Sequence, residues 1–134
     1  VMAIISTQTL FVPATSEERF LPEGPYPIDE NSFSWVAIQH GATAKHGSLN
    51  LFDFNAKTNQ SYPLPGRPGF AFPTTKAGVF IVGLEREIGL FDTATRQWTM
   101  LANGVDADVE NTIINDGIMV ENCLIFGTKD LEFK

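Results

Sequence analysis

Three short apolar segments of this chain superimpose at spacings of about 45 residues, and this repetition limits the available folds more than any other feature. They are Ser32-Phe33-Ser34-Trp35-Val36-Ala37-Ile38, Gly78-Val79-Phe80-Ile81-Val82-Gly83-Leu84 and Asn122-Cys123-Leu124-Ile125-Phe126-Gly127-Thr128, with Phe33, Val79 and Cys123 marking the register. A second pair, Leu51-Phe52-Asp53 and Leu90-Phe91-Asp92, recurs downstream at about 40 residues, which fits a shorter loop in the second copy. Each pair leads through a polar turn into another short strand, Gln60 to Leu64 or Gln97 to Leu101. No window keeps apolar residues at helical spacing over three turns. The periodic segments are instead short, rich in Val, Ile and Phe, and bounded by Gly, Pro, Asn or Asp, which predicts an all-β chain.

A unit of roughly 40 to 50 residues holding about four short strands has the dimensions of a propeller blade. Proline placement supports this independently, because a residue without an N–H belongs on edge strands or strand ends. Pro25, Pro27, Pro68 and Pro73 fall on the first strands of the proposed blades and Pro63 on the last strand of blade one, while the middle strands carry none. The count gives blade one at about 21–65, blade two at about 66–104 and the start of blade three at about 112–134, or about two and a half blades. Residues 4–12 read as the outer strand of a closing blade. Blades bury their faces only against neighbours, so this much of a ring leaves two faces and an unfinished sheet open. The start at Val1, with Met2 behind it, and the stop at Lys134 directly after a strand-like stretch fit a piece of something longer.

The 43% hydrophobic content across 134 residues is enough for a core, and 19% charged residues argue against disorder. Nine Lys+Arg against 16 Asp+Glu give a net charge of −7, which disfavours nucleic acid and anionic membranes but welcomes a small cation. The single cysteine excludes an internal disulfide and any multi-thiolate metal site. The first ten residues lack the basic region and cleavage site of a signal peptide, and no run is long enough to span a membrane, so the cytoplasm is favoured.

Innermost propeller strands line a central channel, so residues near their starts converge at one mouth. Glu23 and Asn115 lie at near-equivalent places there, and a carboxylate with a carboxamide forms part of an oxygen-ligand set for a hard cation such as Ca²⁺ or Mg²⁺. The plainer reading of Asn115-Asp116-Gly117 is a turn at a strand start. His40 and His46 read as surface-loop histidines, Cys123 as a small core residue and Glu85-Arg86-Glu87 as a solvated charged turn.

The run Leu21-Pro22-Glu23-Gly24-Pro25-Tyr26, the segment 65–70 followed by 78–85, Gly89-Leu90-Phe91-Asp92, Asn115-Asp116-Gly117 and Phe126-Gly127-Thr128 occur in that order. Together they resemble the senescence-marker-protein, gluconolactonase and regucalcin family. The resemblance implies a six-bladed β-propeller about twice this length, with a divalent cation in the channel and lactone-hydrolysing activity on sugar-derived lactones. It implies Glu23 as a metal ligand and Asn115 as a substrate-binding residue. Ile113 stands where the family often has a substrate-binding Arg, and Ile118 where it commonly has Lys; both departures remove positive charge from the channel and weigh against polar sugar-acid lactones, while leaving the metal site untouched. The remaining ligands, an Asn and the Asp proposed as base, would follow Lys134, so no catalytic group is expected within these residues. The cation would be Ca²⁺ first, with Mg²⁺, Mn²⁺ or Zn²⁺ as alternatives. The isolated chain would be inactive, and its ring would need either a carboxy-terminal half or a second copy to close. The competing expectation is a non-catalytic propeller that binds a small ligand or a protein partner.

Overall fold

The structure is a computed structural model that describes residues 2–133. Ten strands and no helix form among these residues. Sheet one runs β1 (Pro22–Asp29), β2 (Ser32–Ala37), β3 (Ser48–Asp53) and β4 (Thr58–Pro63) in spatial order. Sheet two repeats that order with β5 (Pro68–Pro73), β6 (Val79–Leu84), β7 (Glu87–Asp92) and β8 (Gln97–Ala102). Sheet three pairs β9 (Thr112–Val120) with β10 (Cys123–Asp130), and every pairing is antiparallel. Prolines sit on β1, β4 and β5, the outer positions of their sheets, and are absent from the central strands β2, β3, β6 and β7.

The Leu-Phe-Asp repeat has a local cause. Asp53 Oδ1 accepts the backbone N–H groups of Asn55 and Ala56, both at 2.8 Å, and Asp92 Oδ1 accepts those of Ala94 and Thr95 at 2.9 and 3.3 Å. Each aspartate thus folds the chain back into the next strand. Those same aspartates correct the register of the repeat. Asp53 lies opposite Ser32 and Asp92 opposite Val79, so Ser32, not Phe33, is the counterpart of Val79. Phe33 matches Phe80, each facing the phenylalanine of its own repeat, Phe52 or Phe91. Phe33 and Val79 are both apolar, so hydrophobicity alone does not detect a one-residue slip that exchanges the two faces of a sheet.

Between sheets one and two the core is continuous. Val36, Ile38, Leu49, Tyr62 and Leu64 from one side meet Ala71, Phe80, Val82, Leu84 and Phe91 from the other. Burying a side chain of the size of Leu or Phe there stabilises by about 1.5–3 kcal/mol. The seam between sheets two and three is smaller, built on Phe70, Phe72 and Ile114. Beyond it the far face of sheet three is open: Ile118, Val120 and Ile125 are 56%, 47% and 55% exposed. Cys123 is exposed as well, because Leu124 and Phe126 take the inward face of β10 and the alternation leaves Cys123 outside. The expectation of a core cysteine is therefore wrong.

Residues 2–12 form no strand, so the outer strand expected at residues 4–12 is not present. Phe11 packs that segment onto sheet one, its ring 4.9 Å from Phe52 and 6.0 Å from Trp35 on the outer face. Beneath it a polar chain crosses the sheet. Trp35 Nε1 donates to Asn59 Oδ1 at 2.8 Å, Asn59 Nδ2 to Asn50 Oδ1 at 3.1 Å and Asn50 Nδ2 to Ser48 Oγ at 3.0 Å. Ser48 Oγ then lies 2.9 Å from His40 Nε2, so His40 is half-buried and joined to the sheet, whereas its loop partner His46 is exposed. Ser48 and Asn50 are fully buried, and the chain supplies the partners that such groups require.

Candidate functional site

The three innermost strands, β1, β5 and β9, lie side by side, with β5 packed against both of the others. With Ser32, Val79 and Cys123 as equivalents, Val36, Gly83 and Gly127 occupy one level, and their inner-strand partners are Glu23, Phe70 and Asp116. Asn115 falls one residue before that level. Glu23, Asn115 and Asp116 therefore stand near one another along the strand direction, on β1 and β9, with the start of β5 between them.

Local backbone features put them there. Glu23 immediately precedes a register shift in β1, made by Gly24 at φ +61 and Pro25. On β5, Gly69 permits close strand approach: a Cβ there would meet the Ile114 carbonyl oxygen at 2.5 Å. Glu23 and Asp116 are exposed and Asn115 is half-buried. Asp116 Oδ1 accepts the Gly117 N–H at 2.7 Å. Ile113 is only 3% exposed, so its side chain lies in the interior.

A cleft of about 350 Å³ runs along these strands. Tyr26, Phe70, Phe72 and Ile118 supply its apolar walls and Asp116 a carboxylate, and among its described lining residues there is no Lys, Arg or His. Tyr26 and Phe72 meet edge to face at 5.0 Å. A second cleft of about 320 Å³ opens on the seam between sheets one and two; its carboxylate, Asp53, is already engaged in its turn.

As cation donors, Glu23 and Asn115 are of the right kind, hard oxygens, but too few. Among the described residues no group of three or more His, Cys, Asp and Glu side chains is placed to hold a metal ion.

The charged turn Glu85-Arg86-Glu87, read from sequence as solvated, is instead built into the seam. Glu85 takes both ends of the Arg67 guanidinium, Nε to Oε1 and Nη2 to Oε2 at 2.8 Å each, and also the Arg67 N–H at 3.0 Å. This pairing holds the Arg67 guanidinium above its ordinary pKa. Arg86 turns the other way: its Nε donates to the Val105 carbonyl at 2.9 Å and its Nη2 to the carbonyls of Asp106 and Val109 and, at 3.1 Å, to Thr112 Oγ1. The only signal for this in the sequence is a pair of charges beside a tight turn, which does not distinguish a clamp from a solvated corner.

The description "SMP-30/Gluconolactonase/LRE-like region" matches residues 21–134. Among solved structures, a luciferin-regenerating enzyme superimposes with a TM-score of 0.70 at 21% identity, over 84% of this chain and 37% of that one. The likeness shows the fold, a partial β-propeller, and the chain spans well under half of that enzyme. No curated protein sequence matches.

Proposed function

The chain belongs to the SMP-30/Gluconolactonase/LRE-like family, and from that premise we propose that it is part of a metal-dependent lactone hydrolase. The observation that supports this reading is the placement of Glu23 and Asn115 at similar heights on the inner strands β1 and β9, which flank β5, each next in sequence to a residue that lines the cleft, Gly24 or Asp116. Glu23 would hold a divalent cation, Ca²⁺ first, together with ligands from other blades. Such an ion, when bound, polarises a carbonyl and lowers the pKa of a nearby water.

The remaining tasks fall to protein groups. Asn115 orients the lactone through its carboxamide, which can both donate and accept. Tyr26, Phe70 and Phe72 cover the apolar part of the ring and keep bulk water from it. Water adds to the lactone carbonyl carbon, the ring C–O bond breaks, and a hydroxy acid leaves; the carboxylate that takes the water's proton comes from a later blade. The absence of cations from the described cleft lining favours a neutral lactone over an anionic one.

The test is a lactone panel assayed on the full-length protein with Ca²⁺, Mg²⁺, Mn²⁺ or Zn²⁺. Ring opening that depends on the cation and is lost in Glu23→Gln supports the reading. Activity indifferent to both the cation and Glu23 refutes it. A protein that binds neutral ligands in the cleft but opens no ring would favour the second reading, a non-catalytic binder, for which the cation-free wall is the supporting observation.

A further inference from the structure

Asn115 stands where strand pairing holds it least. The β9–β10 register shifts between Gly127 and Thr128, whose partners are Asp116 and Ile114, so Asn115 has no opposite number on β10. A residue left out of a ladder is placed by whatever else grips its neighbours. Here the grip comes from sheet two. The Ile114 N–H donates to the Glu85 carbonyl at 2.8 Å, and the Val105 N–H to the Arg86 carbonyl at 3.2 Å. The Arg86 side chain then gathers three carbonyls and the Thr112 hydroxyl along the connection that enters β9. Glu85 adopts a left-handed φ of 54°, a conformation uncommon outside glycine, and its two-point pairing with Arg67 holds it there.

We propose that Arg86 is a positioning residue for Asn115: its guanidinium fixes the path of residues 105–112, and that path sets where the unpaired residue of β9 emerges, one residue before the level of Glu23. The inference rests on the substrate-orienting role given to Asn115 above. Arginine suits this task because its planar fork carries five N–H donors, whereas a lysine ammonium is a single point that cannot span carbonyls on separate residues.

Two measurements on the full-length protein decide it. In hydrogen exchange, Arg86→Met should raise the rates of residues 105–116 by at least about tenfold and leave residues 48–63 unchanged. Arg86→Lys, the milder change should Met impair folding, should raise them less. In kinetics, Arg86→Met and Asn115→Ala should each lower kcat/KM by about tenfold, and the double variant should fall no more than about twofold below Asn115→Ala alone. An arginine that only stabilises the fold would give multiplicative losses, because it would act whether or not Asn115 is present. Multiplicative losses, or unchanged exchange over residues 112–116, overturn the proposal. A protein that opens no lactone in any form refutes the hydrolase reading and with it the role on which this inference rests, whereas ring opening with unchanged exchange over residues 112–116 in Arg86→Met overturns the positioning role alone.

Discussion

The two seams of this molecule are held together differently. Between sheets one and two, ten buried side chains interlock, and the backbones follow the packing. Between sheets two and three the apolar cluster contains three buried residues, and the strand entering sheet three is placed by the Glu85 carbonyl, the Arg86 fork and the close approach of Gly69. Apolar packing is tolerant of small shifts and indifferent to direction, whereas hydrogen bonds to a guanidinium fix direction. The directional seam is also the one that carries Asn115.

The largest expected effect lies in the packed seam. Phe91→Ala removes a ring that is 2% exposed and should cost about 3–5 kcal/mol in the full-length protein, read as a lower urea midpoint with faster exchange in both of the first two sheets. A loss under about 1 kcal/mol would mean that the seam collapses onto the gap and that the contrast drawn here is overstated.

Next in size is Gly69→Ala in the directional seam. Its Cβ would press on the Ile114 carbonyl, a backbone atom that cannot swing aside, so β5 and β9 must part. About 1–3 kcal/mol is expected, with the exchange increase confined to residues 67–73 and 112–118. A global increase would show that the second seam is as cooperative as the first.

The smallest effect concerns Asp106. Hydrogen bonds from Thr128, then Thr112, hold its carboxyl below the ordinary carboxylate pKa. The folded value lies below the unfolded one, so this stabilisation is present above the unfolded value and is lost as pH falls through the folded one. Below about pH 4, exchange at residues 105–112 should rise before that of sheet one. The Asp106→Asn variant should remove this acid step, and an unchanged step would assign it to another carboxylate.

Strands, their order and the edge prolines were legible from the chain because each rests on a local rule: alternation, turn residues, the missing proline donor. The aspartate turns were legible as a repeat, though their stronger use, fixing register through Ser32 and Val79, needed the cross-strand pairs. Cys123 was misread because a strand with two faces offers no sequence mark of which neighbour is present; Leu124 and Phe126 took the inner side. Counting from the repeated segments brought Glu23 and Asn115 to neighbouring positions, but the strand pairs put Asp116 level with Glu23 and Asn115 one residue before it. Arg86 could not, because its partners are mostly backbone carbonyls some 20 residues away, and carbonyls have no letter in a sequence.

Each four-stranded sheet contains one tryptophan. Trp35 is 4% exposed, with its indole N–H given to Asn59, while Trp98 is half-buried against the ring of neighbours around Phe91. These residues thus carry a pair of optical probes: comparing Trp35→Phe and Trp98→Phe with the parent protein isolates the emission of each indole, so the order in which the two sectors melt can be followed with light and no added label.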